Sequence, residues 1–266
     1  MHSPTAPRHP YLSAGNPPRV LAHRGLVTPD AAALGVVENS FAAVAEAHAA
    51  GLTYVESDCH VTADGAVVLF HDPDLQRVTG NPRRVDAVRL HELEEIMAER
   101  GGLITLAQAL EAFPETHFNL DVKAEAAAES VGRLVAPHAE RVLLTSFSDD
   151  HRRQAVAAAT RAGAAMRPAI SPGTTTMARV VAAVASGIRP LAQRLMRDVD
   201  ALQVPERHGR VRVVTPRLIR AAHASDVEVH VWTVNDQDDM ERLLDMGVDG
   251  LVSDRADVAL ALVNRR

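Results

Sequence analysis

Short runs rich in β-branched residues alternate along this chain with longer, alanine-rich stretches of helical period, and that alternation restricts the fold more than any other feature. The strand-like runs fall at 19–22, 54–58 with a continuation at 67–70, 118–122, 142–145, 165–170, 201–204, 228–233 and 250–253. Helical stretches lie between them at 40–50, 105–113, 124–137, 149–162, 177–186, 216–224 and 236–246, and several starts carry a cap residue, as in Thr105, Ser148, Thr215 and Asn235. Strands separated by helices pair in parallel, because each crossover returns the chain to the same end of the sheet. Counting the second run and its continuation as one unit gives eight such units in 266 residues, which predicts a TIM (β/α)8 barrel. An open doubly wound sheet competes, but no strand is followed by the glycine-rich phosphate loop that such sheets use. The stretch 73–102 exceeds an ordinary βα connection and predicts a small insertion after the second strand, packed over one side of the barrel mouth.

The barrel is expected to occupy 19–266. Residues 1–18 hold five prolines among Ser, Gly and Asn with no apolar core of a secretory signal, and read as a flexible tail. A net charge of −6 gives no general reason to seek nucleic acid as a partner. No run approaches the roughly eighteen apolar residues of a membrane span, so stable membrane insertion is not expected. The single cysteine, Cys59, excludes an intrachain disulfide framework and fits a reducing, cytoplasmic compartment.

The chemistry gathers at strand ends. Glu56 and Asp58 stand i, i+2 at the end of the second strand and project from one face, as do Asp121 and Lys123 at the end of the third. Unpaired charges are excluded from a barrel core, but at its C-terminal mouth they form a site. Three carboxylates of this kind suit a hard divalent cation, Mg2+ or Ca2+, rather than zinc. Lys123 then either offsets carboxylate repulsion or grips a phosphate oxygen as a point charge. His23 follows the first strand and precedes Arg24, whose guanidinium suits a phosphate, and Gly25, which lets a turn approach a ligand closely. His71 ends the apolar run after the second strand and precedes Asp72, a residue able to orient an imidazole. Cleaving a phosphodiester needs a base for the attacking oxygen and an acid for the leaving alkoxide, and two imidazoles can supply both near neutral pH. Among the other histidines, His60, His117 and His230 fall in or beside strands, where outward or structural roles are expected.

The segments Ala22-His-Arg-Gly25, Glu38-Asn-Ser40, Glu56-Ser-Asp58 and Thr62-Ala-Asp-Gly65 occur in that order, followed by the run His71 to Thr79. Asn119-Leu-Asp-Val-Lys123, Val231-Trp-Thr-Val-Asn235 and the run Gly247 to Arg255 complete the series. With these motifs the sequence resembles the glycerophosphodiester phosphodiesterase family over roughly residues 20–260. The resemblance implies a TIM barrel, a divalent cation, and hydrolysis of glycerophosphodiesters to glycerol 3-phosphate and an alcohol. It implies His23 and His71 as the acid–base pair, Glu56, Asp58 and Asp121 as metal ligands, and Arg24 and Lys123 as phosphate-holding groups. Glu38 is expected to support the first histidine or the metal shell, and Trp232 to pack on the glycerol end of the substrate. Three positions depart from the family pattern: the loop 26–37 is long, Ser40 replaces a frequent threonine, and Asp121 stands where glutamate is common. The last shortens a ligand by one methylene and bears on which metal binds. A lysophospholipase D-type activity remains open, with the apolar residues of 174–199 sheltering an acyl chain, as does a non-catalytic barrel that binds phosphodiesters.

Overall fold

The computed structural model describes residues 8–266. Eight parallel strands form the barrel: β1 (Arg19–His23), β2 (Tyr54–Val61), β3 (His117–Val122), β4 (Val142–Thr145), β5 (Ala169–Ile170), β6 (Ala201–Pro205), β7 (Glu228–Trp232) and β8 (Gly250–Ser253). They hydrogen-bond in the order β5-β4-β3-β2-β1-β8-β7-β6. The seam between β5 and β6 is drawn together by Asp200, whose N–H donates to Ile170 O at 3.0 Å while its carboxylate accepts from Ile170 N–H at 2.8 Å. Gln203 N–H adds a bond to Ser171 Oγ at 3.2 Å. The fold is therefore the expected TIM (β/α)8 barrel, nearly closed.

Strand parity divides the apolar residues into two cores. Outward residues such as Val20, Ala22, Val55, Phe118, Leu120, Leu144, Val204 and Leu251 pack against the ring of helices in the large cluster. Inward residues Leu21, Tyr54, Leu143, Ala169, Ala201 and Val252 form a small cluster inside the barrel. Two positions further along the strands, the same inward rows bring His23 and Glu56 toward the C-terminal mouth.

Four expectations need correction. Residues 1–7 lie outside the described residues, but 8–18 are not a loose tail: a turn of 3-10 helix at Pro10–Leu12 plugs the N-terminal end of the barrel, with Tyr11 and Leu12 buried. Tyr11 meets Tyr54 edge-on at 5.3 Å, and Tyr54 Oη donates to Tyr11 O at 2.9 Å. Two apolar residues among prolines are too few to show a period, yet the open floor of a barrel is a surface that must be covered. The run 67–70 does not continue β2; Val67–Leu69 returns antiparallel to it, pairing Cys59 with Leu69 and Val61 with Val67. The turn comes from Thr62-Ala-Asp-Gly65, where Gly65 adopts φ +86° and Thr62 Oγ1 accepts from Ala66 N–H. The strand expected at 165–170 shortens to Ala169–Ile170, Pro168 having no N–H to pair. The glycine of the first-strand turn serves packing: a Cβ on Gly25 would come within 2.7 Å of the Ala43 carbonyl, at the start of the helix Phe41–Ala49.

The insertion 73–102 carries the helices Gln76–Thr79 and Leu90–Met97 and closes over its own cluster of Phe70, Leu75, Val85, Val88, Leu93 and Met97. The stretch 174–199 consists of two outer helices, Thr174–Ala185 and Arg189–Met196, whose Val180, Val184, Ala192 and Met196 face the barrel core. Those side chains are therefore occupied in packing. Among the described residues no helix is long and apolar enough to cross a membrane.

Candidate active site

One web of charge joins all the anticipated acidic, basic and imidazole residues at the C-terminal mouth. Register sets it up: β1 to β3 run side by side, with His23 level with Glu56, Glu56 with Asn119, and Asp58 with Asp121. Glu56 and Asp58 are buried on β2, Asp121 is buried on β3, and Lys123 follows one position past the end of β3. Lys123 Nζ lies 2.9 Å from Asp58 Oδ1 and 2.6 Å from Asp121 Oδ2. It is the only lysine in the chain. Burial works against its charge, but the two aspartates outweigh that and hold its pKa above the ordinary lysine value.

Arg24 sits in a left-handed turn, φ +59°, with its N–H donating to Glu56 O at 2.8 Å. Its Nη1 reaches Glu38 Oε1 at 2.7 Å, and its Nε lies 3.2 Å from Asp58 Oδ2 as an ion pair without hydrogen-bond alignment. Asn39, also left-handed, donates from Nδ2 to Asp58 Oδ2 at 3.1 Å and accepts from Ser57 Oγ at 2.6 Å. Both β1-side residues thus grip β2, which fixes the Asp58 carboxylate.

Each of the two histidines is held through Nδ1 by an aspartate. His23 Nδ1 donates to Asp254 Oδ1 at 2.6 Å, and Asp254 is itself fixed by Asn235 Nδ2 at 2.6 Å and by its own N–H donating to Asn235 Oδ1. His71 Nδ1 donates to Asp72 Oδ1 at 2.7 Å, and Arg77 Nε donates to the other oxygen of Asp72 at 2.6 Å. Burial would raise Asp254 and Asp72, but hydrogen bonds from the histidines, and from Asn235 and Arg77 respectively, hold both below the ordinary aspartate value. Arg77 Nη2 also donates to Glu38 Oε1 at 2.6 Å. Glu38 therefore answers two arginines, and its contacts run through Arg77 toward the second histidine rather than directly to the first. His60 donates from Nε2 to His71 O at 3.1 Å, and His230 lies buried at the barrel floor.

The carboxylates outnumber what the local cations answer. Burial first, then the charges of Asp58 and Asp121, push Glu56 well above the ordinary glutamate value. Burial also raises Asp121 despite Lys123, and its Oδ1 is buried without a hydrogen-bond partner. Among the described residues, no three acidic, imidazole or thiol groups stand arranged around a common ion position. Even so, the donor set fits a hard cation: oxygen ligands, an orphaned carboxylate oxygen, and negative charge in excess.

Two surfaces border the web. A cleft of about 300 Å3 opens beside His23 and Asp254, lined by Val27, Val36, Val37 and Val78 together with Glu38 and Arg77. On the far side, Trp232 meets the exposed Phe147 edge-on at 6.0 Å, and Lys123 Nζ lies 5.2 Å from the Phe147 ring centre.

Residues 23–258 match the model of the glycerophosphoryl diester phosphodiesterase family. The chain belongs to that family. It is 37% identical over 242 residues, 90% of this chain and 88% of the relative, to a probable glycerophosphodiester phosphodiesterase 2 of Mycobacterium tuberculosis. Its fold matches that of a glycerophosphodiester phosphodiesterase from Thermotoga maritima at TM-score 0.68 and 22% identity, covering 91% and 97% of the two chains. An Oleispira antarctica phosphodiesterase in complex with the product sn-glycerol-3-phosphate matches at TM-score 0.68 and 20% identity, covering 93% and 97%.

Within this member of the glycerophosphoryl diester phosphodiesterase family, sequence reasoning anticipated the two histidines, the carboxylates, both cations and Asp72. It gave no role to Asp254, Asn39, Arg77 or Phe147, and it read Asn235 as a helix cap; the cap is Asp236, which accepts from Asp239 N–H, while Asn235 holds Asp254. Asp254 and Asn235 lie in motifs that carried the resemblance, so a signal existed for them. Arg77, in the run His71 to Thr79, and Asn39, beside Glu38, lie in such motifs too, whereas Phe147 sits on a loop, where a single aromatic residue has no period to mark it.

Proposed function

We propose that this chain hydrolyses glycerophosphodiesters to glycerol 3-phosphate and an alcohol, with His23 and His71 exchanging the protons and a divalent cation, Mg2+ or Ca2+, as cofactor. The observation that carries the reading is the paired aspartate brackets: both imidazoles are tied at Nδ1, which leaves each Nε2 without a hydrogen bond and able to exchange a proton, His23 Nε2 lying 3.9 Å from Glu56 Oε2. His23 Nε2 takes the proton of the attacking oxygen and Asp254 stabilises the imidazolium that forms; attack by water gives glycerol 3-phosphate directly, whereas attack by the neighbouring glycerol hydroxyl gives a cyclic phosphate that water then opens. His71 Nε2 delivers a proton to the departing alkoxide, with Asp72 holding the ring on target. Each transfer contributes about 10²–10⁴-fold.

Glu56, Asp58 and Asp121 are the residues to hold the cation, which when bound supplies charge neutralisation at the non-bridging phosphate oxygens. Arg24 and Lys123 donate to the same oxygens, Arg24 through a planar fork and Lys123 as a point charge. Trp232 and Phe147 form an apolar wall suited to the carbon skeleton of the glycerol end. The cytoplasm suits a chain whose single cysteine, Cys59, is buried and free.

The test is release of glycerol 3-phosphate from glycerophosphocholine, before and after EDTA treatment and on return of Mg2+ or Ca2+, alongside calorimetric titration of each ion into wild type and Asp121→Asn. Release that stops with EDTA, resumes with one ion, and accompanies binding weakened in the variant is the expected pattern. Turnover undiminished by EDTA, with no ion binding, refutes the cofactor. Failure to turn over any glycerophosphodiester in the presence of both ions refutes the activity, and faster release from the monoacyl analogue reassigns it to a lysophospholipase D type.

A further inference from the structure

Charge is distributed unevenly around this barrel. Residues 174–220 carry nine arginines against three acids, Asp198, Asp200 and Glu206, in a chain whose net charge is −6. All nine arginines are exposed, and among the described residues Arg212 alone has a carboxylate partner, at 3.9 Å from Glu206. Elsewhere the exposed arginines are mostly paired, as Arg83, Arg84, Arg153, Arg161 and Arg266 are. Eight of the nine are thus left without a carboxylate partner, while acids accumulate on the rest of the molecule.

Three of these arginines, Arg189, Arg217 and Arg220, gather on one flank. The helices Thr174–Ala185 and Arg189–Met196 pack on each other and on Pro216–His223. Between the three lies a groove of about 600 Å3, with Arg189, Arg217 and Arg220 at its edge over a floor of alanines and Val184. Arg217 is steadied by donating to Ala185 O at 2.9 Å. Ile188, at the start of the helix Arg189–Met196, and Leu191, in its first turn, stand 50% and 43% exposed, two of the few large aliphatic side chains the described residues show to solvent.

We propose that this flank is a docking face for anionic phospholipid surfaces, independent of the reaction assigned to the mouth. Guanidinium groups match lipid phosphates by bidentate hydrogen bonding, and unpaired basic residues are drawn to the negative potential of anionic leaflets. Ile188 and Leu191, flanked by arginines, are short apolar anchors that reach the boundary between headgroups and acyl chains. Protein–protein interface centres are enriched in aromatic side chains, and this flank carries no aromatic ring. A nucleic acid would leave both apolar anchors without a counterpart and find no ring on which to stack a base. The attachment is peripheral and reversible.

Co-sedimentation of the full chain with vesicles of phosphatidylcholine alone, and of phosphatidylcholine and phosphatidylglycerol in equal parts, tests this. The protein is expected to pellet with the anionic vesicles only, and to be released as salt rises, despite its overall negative charge. Arg189→Gln with Arg217→Gln and Arg220→Gln should lower partition on the order of a hundred-fold. Ile188→Ser with Leu191→Ser should lower it several-fold and leave the salt dependence in place. Unchanged hydrolysis of soluble glycerophosphocholine by both variants verifies that they fold. Equal partition to both vesicle types, no pelleting with either, or wild-type partition by the triple variant overturns the proposal. Tighter binding to a duplex DNA fragment than to anionic vesicles at equal salt overturns it in favour of nucleic acid.

Discussion

The two ends of the barrel interior both bury charge, and they treat it in opposite ways. At the floor, Arg19 forms a two-pronged pair with Glu228, at 2.8 and 2.9 Å, and His230 donates to the same carboxylate at 3.0 Å. Arg19 also donates to Tyr54 Oη at 2.7 Å, and the close approach of His230 to β8 depends on Gly250, where a Cβ would meet the ring at 2.7 Å. Burial alone would raise Glu228, but bonds from His230 and Arg19 hold it down at about 2. At the mouth, Glu56, Asp58 and Asp121 crowd one another and Glu56 is driven up instead. Buried charge that is matched, as the Glu228 carboxylate is by Arg19, is architecture. Buried charge that exceeds its local partners leaves room for a counter-charge, which the proposed function supplies as a cation that, with Arg24 and Lys123, holds the phosphodiester.

That contrast can be broken by mutation at either end. The largest effect belongs to the mouth: His23→Ala or His71→Ala should each lower turnover about 10²–10⁴-fold while the thermal midpoint stays near wild type. Activity close to wild type in either variant would remove that histidine from the chemistry. The floor should answer the other way. Arg19→Met strands the buried Glu228 carboxylate and should cost about 3–5 kcal/mol in denaturant unfolding, with turnover per folded molecule retained. A stable Arg19→Met protein of low activity would invert the contrast.

The floor also makes a prediction about acid. The folded Glu228 lies at about 2, below the ordinary glutamate value of 4.5, so its contribution is fully present above about pH 4.5 and drains away as pH falls toward 2. The amount at stake is about 3 kcal/mol. Glu228→Gln should unfold with a shallower acid dependence over that range; an acid limb identical to wild type would show that the floor pair does not govern it. The smallest expected effect is at Arg77, which touches Asp72 and Glu38 and acts only by positioning. Arg77→Gln should lower kcat about tenfold with KM little changed, and Arg77→Lys should recover part of the loss. A change confined to KM would make Arg77 a substrate-binding group instead.

The strand and helix periodicity, the motif order and the i, i+2 spacing of Glu56 with Asp58 are legible in the sequence, because alternation along a strand is a local property of the chain. The same periodicity located Asp121 and Lys123 at the end of the third strand. It misread 67–70 as a continuation, since an apolar run looks the same whichever direction it travels, and it read 8–18 as loose because a floor plug of two residues has no period.

What the chain determined alone is the eight-unit barrel and the residue types gathered at strand ends, both of which follow from short-range pattern. Only tertiary structure decided that Asp254, more than two hundred residues from His23, brackets it, that Arg77 ties Asp72 to Glu38, and that β5 and β6 meet through Asp200. The same holds for the basic flank, assembled from helices separated in sequence. Such pairings arise when the barrel closes and brings the first and last strands side by side, and no local pattern along the chain encodes which side chains that closure will bring together.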